Sequence, residues 1–443
     1  MKRKLRALLL VASDMTMNCR RYRLQLAVAF ACAFAMSVTA ASPATLQPTG
    51  AYDPKLFLPR LAKAEQAVEQ GQVSGNGAPP GQNSALEMLA TILSMLGDVD
   101  RAIATYDRRS PAALLPLAHQ QVAQMRQVVD ARADNAIQAI IEQARGKRVV
   151  LINEAHHVPM HRAFTQKLAM ELHKIGYNYL AAEAFRADPK GEVILTAANK
   201  TSVVTGMYTS DPVFAGFVNA ALADGWKLVP YDTQSSLAPG TDPLEGIKRR
   251  EQMQAQNLVD RIFAKDPNAK VLIHVGYGHL QKLRPGDTRS PAFMGEYLHR
   301  LTGLEMLHVD QISLYSHPER AAEGPVYAGL LEKFPSKDPF VLRSPDGSFP
   351  VLMGMQGTVD MQVIFPRYAT RDGRPEWLQN LAGRIPRDIP QELLPKQGKR
   401  LIKAFREVDS PDTVPADMVI VEAGKPAPSL MLPPGQFRYT YEE

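Results

Sequence analysis

Between residues 146 and 313, short unbroken apolar runs take turns with stretches in which apolar residues recur every three or four positions. The runs at 148–153 (RVVLIN), 179–184 (YLAAEA), 227–232 (KLVPYD), 270–277 (KVLIHVGY) and 305–313 (EMLHVDQIS) predict strands. Helices are predicted over 160–175, where Phe164, Leu168, Leu172 and Ile175 share one face, and over 212–225, 245–264 and 292–303. Strands that are apolar on both faces and separated by helices predict an α/β fold: a mostly parallel sheet with helices on both faces.

The flanks read differently. Residues 43–84 are rich in Pro, Gly, Ser and Gln and predict a loosely ordered lead-in. Within 85–108, Leu86, Leu89, Ile92, Leu93 and Leu96 fall at helical spacing ahead of a Gly-Asp break and a second short helix, which predicts a helical cap on the next domain. Past 313 prolines are frequent, and the better strand candidates are 359–366, 417–424 and 437–443. The expected organisation is a signal peptide at 1–41, a lead-in and helical segment at 42–145, the α/β core at 146–313 and a β-rich or irregular appendage at 314–443.

Composition changes this picture mainly at the start. Basic residues from Lys2 to Arg23 precede the apolar run Leu24–Val38 and the small-residue stretch Thr39–Ser42. That pattern predicts an exported protein, periplasmic or secreted, cleaved after Ala40 or Ala41, with either Met1 or Met17 as its first residue. The run is too short to span a bilayer, so no transmembrane span is expected after cleavage. Cys19 and Cys32, the two cysteines, would leave with the signal, which rules out a disulfide, a cysteine–zinc site or a cysteine nucleophile in the mature chain. Of 51 Lys and Arg and 45 Asp and Glu, residues 1–40 hold seven and one. What remains balances at 44 of each, and no nucleic-acid partner is implied.

The unusual polar residues gather where chemistry is expected. In a parallel sheet, ligands sit beyond the carboxyl ends of the strands. Glu154, His156 and His157 follow the first predicted strand, Glu183 ends the second, Asp232 ends the third, and Tyr277 and His279 lie in the exit loop of the fourth. A lone carboxylate at a strand end is ordinarily a helix cap, and a lone histidine ordinarily a bonded structural residue. Four consecutive strand ends with such groups predict one rim site.

Local sequence refines the roles. Pro159 suits the first turn of a helix, so His156 and His157 precede that helix, and backbone direction lets only one of them point inward. His161, in the first turn, either leans toward the rim as a substrate contact or caps the turn. Gly276 and Gly278 around Tyr277 permit a sharp turn and close approach to a ligand. GYGH lacks the Lys-Ser/Thr ending of a phosphate loop. His274, inside its strand, reads as a core histidine. In RREQMQAQN most residues read as a solvated helix face, with Arg249 or Arg250 as an anion clamp.

These residues resemble a known group. NEAHHVPMHR, followed by Glu183, Asp232 and GYGH, is similar to the superfamily of erythromycin esterase-like hydrolases, ChaN-type haem-binding lipoproteins and Tiki/TraB-type proteases, over about residues 146–313. Against the Tiki/TraB pattern of glycine followed three residues later by histidine, the frames are Asn153 to His156, with Asn in place of Gly, and Gly276 to His279. The ChaN-like pattern matches Glu154, His156, Pro159 and His161. The esterase pattern favours His157, and Arg250 matches the arginine-bearing helix of the esterases.

Three functions stay open on these residues. In a hydrolase, His156 or His157 serves as base, oriented by Glu154 or Glu183, while His279, Tyr277 or Arg250 stabilises the oxyanion. His161, Tyr277, Arg250 and Asp232 would contact a small-molecule or peptide substrate carrying an ester, lactone or peptide bond. The resemblance implies metal-free and metal-dependent forms alike; in the latter two imidazoles, His156 and His279, with Glu183 or Asp232 would make a mixed nitrogen–oxygen site for zinc, manganese or cobalt. No G-x-S-x-G elbow is present, which argues against a serine nucleophile. The second function, implied by the ChaN likeness, is haem binding through a histidine or Tyr277. The third is a non-catalytic exported scaffold.

Overall fold

The apolar runs pair as a six-stranded, wholly parallel sheet. A computed structural model describes residues 56–71, 80–109, 118–232, 242–284, 286–287 and 292–443. The predicted signal peptide lies outside them. The sheet contains β2 (Val149–Glu154), β3 (Tyr179–Ala182), β4 (Lys227–Pro230), β5 (Val271–Gly276), β6 (Met306–Asp310) and β8 (Met361–Gln362), in the order β4-β3-β5-β2-β6-β8. Two short antiparallel partners, β1 (Arg132–Asn135) and β7 (Phe340–Arg343), lie outside it, β1 following the helix α4 (Ala118–Arg126).

Alternation of side chains along each strand builds two cores. Val150, Ile152, Leu180 and Leu272 face one side, under α5 (Ala136–Ala144), α6 (Pro159–His173) and α7 (Pro212–Ala223). Val149, Leu151, Val271 and Ile273 face the other, under α8 (Pro243–Leu258) and α9 (Met294–Thr302). Both sets are fully buried, and each such residue contributes about 1.5–3 kcal/mol by leaving water. Register runs Val149 beside Val271 to Glu154 beside Gly276, which brings the ends of β2 and β5 level.

The flanks depart from expectation in two places. The lead-in contains a helix, α1 (Leu58–Gly71), whose Leu58, Leu61, Ala64 and Val68 are buried at helical spacing. The Pro and Gly on either side of this stretch obscure its periodicity. It packs with α2 (Pro80–Met95) and α3 (Val99–Asp107), and the three share a core with Leu401 and Met418 of an antiparallel sheet formed by 399–406, 417–422 and 437–442. The C-terminal region is β-rich as predicted, but β8 is part of the main sheet rather than of an appendage. Among the described residues no helix is long and apolar enough to cross a membrane.

Candidate functional site

Glu154, Glu183, Asp232 and His279 emerge at one edge, where β2, β3, β4 and β5 end. Glu154 is 2% exposed, and burial alone would push its carboxyl up; the Arg162 guanidinium and neighbouring histidines outweigh this and hold it well below the usual carboxylate range. Arg162, fully buried on α6, grips both carboxylate oxygens and also donates to the His156 carbonyl at 3.0 Å. Its remaining nitrogen lies 3.6 Å from Asp211, whose carboxylate caps α7 by accepting the Val213 and Phe214 amides. An ionised buried carboxylate is tolerable here because it is paired and bonded.

The two adjacent histidines part company. His156 Nδ1 lies 2.9 Å from Glu154 Oε1, and its ring stacks on Tyr208 at 3.7 Å between centroids. An ionised carboxylate only accepts, so Nδ1 carries the proton and, in the neutral ring, Nε2 keeps its lone pair. His157 turns away. It stacks on Tyr106 of α3 at 3.6 Å, with its Nε2 3.5 Å from the Tyr315 hydroxyl, and burial drives its pKa well below the ordinary value. The expectation of a catalytic role for His157 is therefore corrected: it belongs to the seam between α3 and the rim.

His161 is corrected as well. It is fully buried, its Nδ1 accepts the Ala155 N–H at 3.1 Å, and burial lowers its pKa to about 3. It locks the turn between β2 and α6. His274 is buried as expected, with Nε2 3.6 Å from Glu154, and burial lowers its pKa to about 4.

Across the edge, Glu183 accepts the Gly276 N–H at 2.6 Å and the Arg250 guanidinium at 2.9 Å. Burial alone would raise its carboxyl; His279 and Arg250 lower it instead. Arg250 also forks onto both oxygens of Asp232. The expected substrate contacts Arg250 and Asp232 thus serve each other and Glu183. His279 Nε2 lies 3.6 Å from Glu183 Oε1, and its Nδ1 lies 2.7 Å from Glu251 Oε1. Burial opposes the imidazolium, but Glu251 and Glu183 prevail and raise the His279 pKa.

Gly276 is the hinge of the arrangement. A β-carbon there would lie 2.7 Å from His156 Nε2 and 2.9 Å from Glu183 Oε2, so the imidazole and the carboxylate converge over a position that only hydrogen can occupy. The sharp turn beyond it is made by Tyr277, at φ +43°, and not by a glycine. A tyrosine in the left-handed region costs on the order of 1–3 kcal/mol. The turn sets its ring edge-on to His156 at 4.9 Å and parallel to Tyr106 at 6.2 Å. Burial pushes its hydroxyl well above the ordinary pKa, and the half-buried ring walls the site beside His156.

The helical segment roofs this wall. Tyr106 covers His157, Arg109 lies over the Tyr106 ring at 4.5 Å, and Arg109 pairs with buried Glu87 of α2 at 3.3 Å. Sequence reasoning missed Arg162, Asp211, Tyr208, Glu251 and these roof residues. The one available signal was an arginine directly after His161 in a helix otherwise facing the core.

The donors fit neither expected cofactor well. Among the described residues no three His, Asp or Glu side chains converge to hold a metal ion. In the predicted set of His156, His279 and Glu183, both Glu183 oxygens are engaged and a guanidinium adjoins them, which opposes a second cation. Haem would need a flat apolar opening, whereas the Tyr277 ring is packed between His156 and Tyr106 and its hydroxyl is buried. The pocket lined by Phe57, Val203, Lys403, Phe405 and Arg438 includes none of the rim's side chains.

No family model matches the chain, and no curated protein matches it. Among solved structures it is similar to the type III effector HopBA1, with 13% identity over 43% of this chain and 87% of that one and a TM-score of 0.27. It is similar to RRSP, a MARTX toxin effector domain from Vibrio vulnificus, with 18% identity over 58% and 55% and a TM-score of 0.30. It is also similar to Pasteurella multocida toxin, in whose C-terminal region a thiol-protease-like triad is described, with 9% identity over 94% and 60% and a TM-score of 0.32. The chain spans little more than half of these last two. Likeness at this level carries no argument about the site, whose reading rests on its own geometry.

Proposed function

We propose that this chain is a hydrolase that activates water with a paired glutamate–histidine base and cleaves an acyl bond (ester, lactone or peptide) without a resident metal. The observation that carries the reading is the contrast between two imidazoles flanking Glu183. His156 is fixed by Glu154 with its Nε2 lone pair toward Gly276, and His279 is held between two carboxylates that favour its cation. A base with its lone pair directed at one point and a proton donor placed across the same carboxylate are what acid–base catalysis requires.

The chemistry follows from that placement. His156 Nε2 takes a proton from water as the oxygen attacks the acyl carbon, and the Glu154 carboxylate offsets the imidazolium that forms. Charge developing on the acyl oxygen faces the His279 cation. As the tetrahedral species collapses, His279 Nε2 gives its proton to the departing oxygen or nitrogen. The products are a carboxylic acid and the protonated leaving group; His156 then releases its proton and His279 regains one from solvent. Glu183 balances both rings. The resemblance to erythromycin esterase-like and Tiki/TraB-type proteins supports the same reaction class, and the signal-like residues 1–41 support action after export, in the periplasm or outside the cell.

A panel of chromogenic esters, lactones and peptides, assayed with purified wild type, Glu154→Gln, His156→Ala and His279→Ala, tests this reading. Hydrolysis by the wild type and loss of about 100-fold or more in each variant is expected. No hydrolysis of any compound, or full activity in His156→Ala, refutes it.

A further inference from the structure

The helix α8 carries two consecutive residues of opposite charge, Arg250 and Glu251, and the rim uses both. Arg250 reaches Asp232 and Glu183. Glu251 has no exposed surface, and its two oxygens do different things. One lies 2.7 Å from His279 Nδ1; the other accepts the backbone N–H of Met294, the first residue of α9, at 2.6 Å. The His279 carbonyl in turn accepts the Gly295 N–H at 2.8 Å. Side chain and backbone of His279 are therefore both tied to the start of α9, the side chain through Glu251.

The charges alternate along this chain of contacts: Asp232 negative, Arg250 positive, Glu183 negative, His279 positive, Glu251 negative. Groups facing His279 come from two elements, Glu251 and Arg250 of α8 and Glu183 beyond β3. We infer that Glu251 is a positioning residue for the proposed hydrolysis: it holds His279 as the imidazolium, with Nδ1 turned inward and Nε2–H directed to Glu183 and the reacting bond. The inference rests on the hydrolase reading for its consequence, though not for its geometry.

A simpler role would be to cap α9. Capping needs only one acceptor oxygen, and a neutral amide supplies it. A fully buried carboxylate is costly unless a cation answers it, and the helix N-terminus offers only part of that charge. His279 supplies the rest. The same argument runs in reverse for His279, a buried cation that Arg250 alone would destabilise. Glu251 and His279 thus fix each other's state, and the pair sets which nitrogen of His279 faces the site.

The variant Glu251→Gln keeps the size and the acceptor for Met294 and removes the charge. In the full chain, its kcat is expected to fall about 10- to 100-fold with KM changed less than about twofold. In nitrogen NMR, the His279 signal, assigned with His279→Gln, is expected to titrate above a free histidine in the wild type and at lower pH in Glu251→Gln. An unchanged titration in Glu251→Gln overturns the inference, and so does a wild-type His279 that titrates at or below the free value, a measurement that stands even if Glu251→Gln does not fold. If the wild type hydrolyses nothing yet the titration moves as stated, the hydrolase reading fails alone and Glu251 keeps its hold on His279. A fall in thermal midpoint with no shift in titration assigns Glu251 to helix capping only and also overturns the inference.

Discussion

Replacing Gly276 with alanine adds one carbon to the rim and removes no functional group. That carbon would stand 2.6 Å from His156 Cε1, 2.7 Å from its Nε2 and 2.9 Å from Glu183 Oε2. Ordinary contact begins near 3.4 Å, so the imidazole must withdraw by about 0.8 Å, or the glutamate and the loop must share the shift. Gly276 does not occupy the left-handed region, so the backbone itself tolerates alanine. Overpacking of this kind costs about 1–3 kcal/mol of stability. Displacing a catalytic group by an ångström costs about 100-fold in rate, equivalent to about 2.7 kcal/mol in the barrier. The assay is kcat/KM on whichever chromogenic acyl compound the wild type cleaves, with thermal unfolding alongside. Gly146→Ala, where the added carbon meets nothing within 4 Å, serves as the control. A Gly276→Ala enzyme that stays folded and within about threefold of wild type refutes the placement of His156 and Glu183 in one reacting space.

Arg162→Met leaves Glu154 buried without its cation, and breaking such a pair is expected to cost about 3–5 kcal/mol in denaturant unfolding; a loss under about 1 kcal/mol contradicts the role given to Arg162. Acid should destabilise the fold from about pH 6.5 downward, because the unfolded chain protonates His157, His161 and His274 while their depressed folded values, about 3 for His161 and about 4 for His274, exclude the proton. Glu154 adds in the same sense: its folded value is depressed, so its contribution holds above the unfolded carboxylate value and fades as pH falls through the folded one. His279, whose folded value is raised, contributes below its unfolded value and loses that contribution as pH rises through the folded one. Denaturant midpoints measured from pH 4 to 8 should rise toward neutrality; a flat profile below pH 6.5 contradicts the burial of the three neutral histidines. Treatment with a chelator, followed by added zinc or manganese, should leave hydrolysis unchanged, and activity that vanishes and returns would restore a metal to the site.

The sheet and its rim were legible because a parallel strand buried on both faces leaves little choice of composition. Glu154, Glu183, Asp232 and His279 stood out as polar residues at the ends of such runs. The roles of His156 and His157 were not legible, since adjacent positions have equal claims until the torsions of one loop are fixed. Arg162 and Glu251 escaped notice because helical spacing cannot tell a buried ion pair from a solvated face. Tyr208 and Asp211 come from 185–211, where no periodicity announces an element. Tyr106, Arg109 and Glu87 lie 40 or more positions before the strand β2 whose rim they cover, a pairing that only tertiary packing determines.

Glu442, in the strand Phe437–Glu442, accepts the backbone N–H groups of Phe57 and Leu58 at the start of α1, across 384 and more positions of chain. A ribosome releases α1, α2 and α3 long before it releases that strand. Until then α1 lacks this anchor, whereas α3 is already held through Asp107 to His317 and through Asp100 to Tyr368. Contacts of such high sequence separation form late and slowly. Docking of α1 thus waits on a strand laid down hundreds of residues later, and a chain stalled short of residue 442 would leave that helix unfastened.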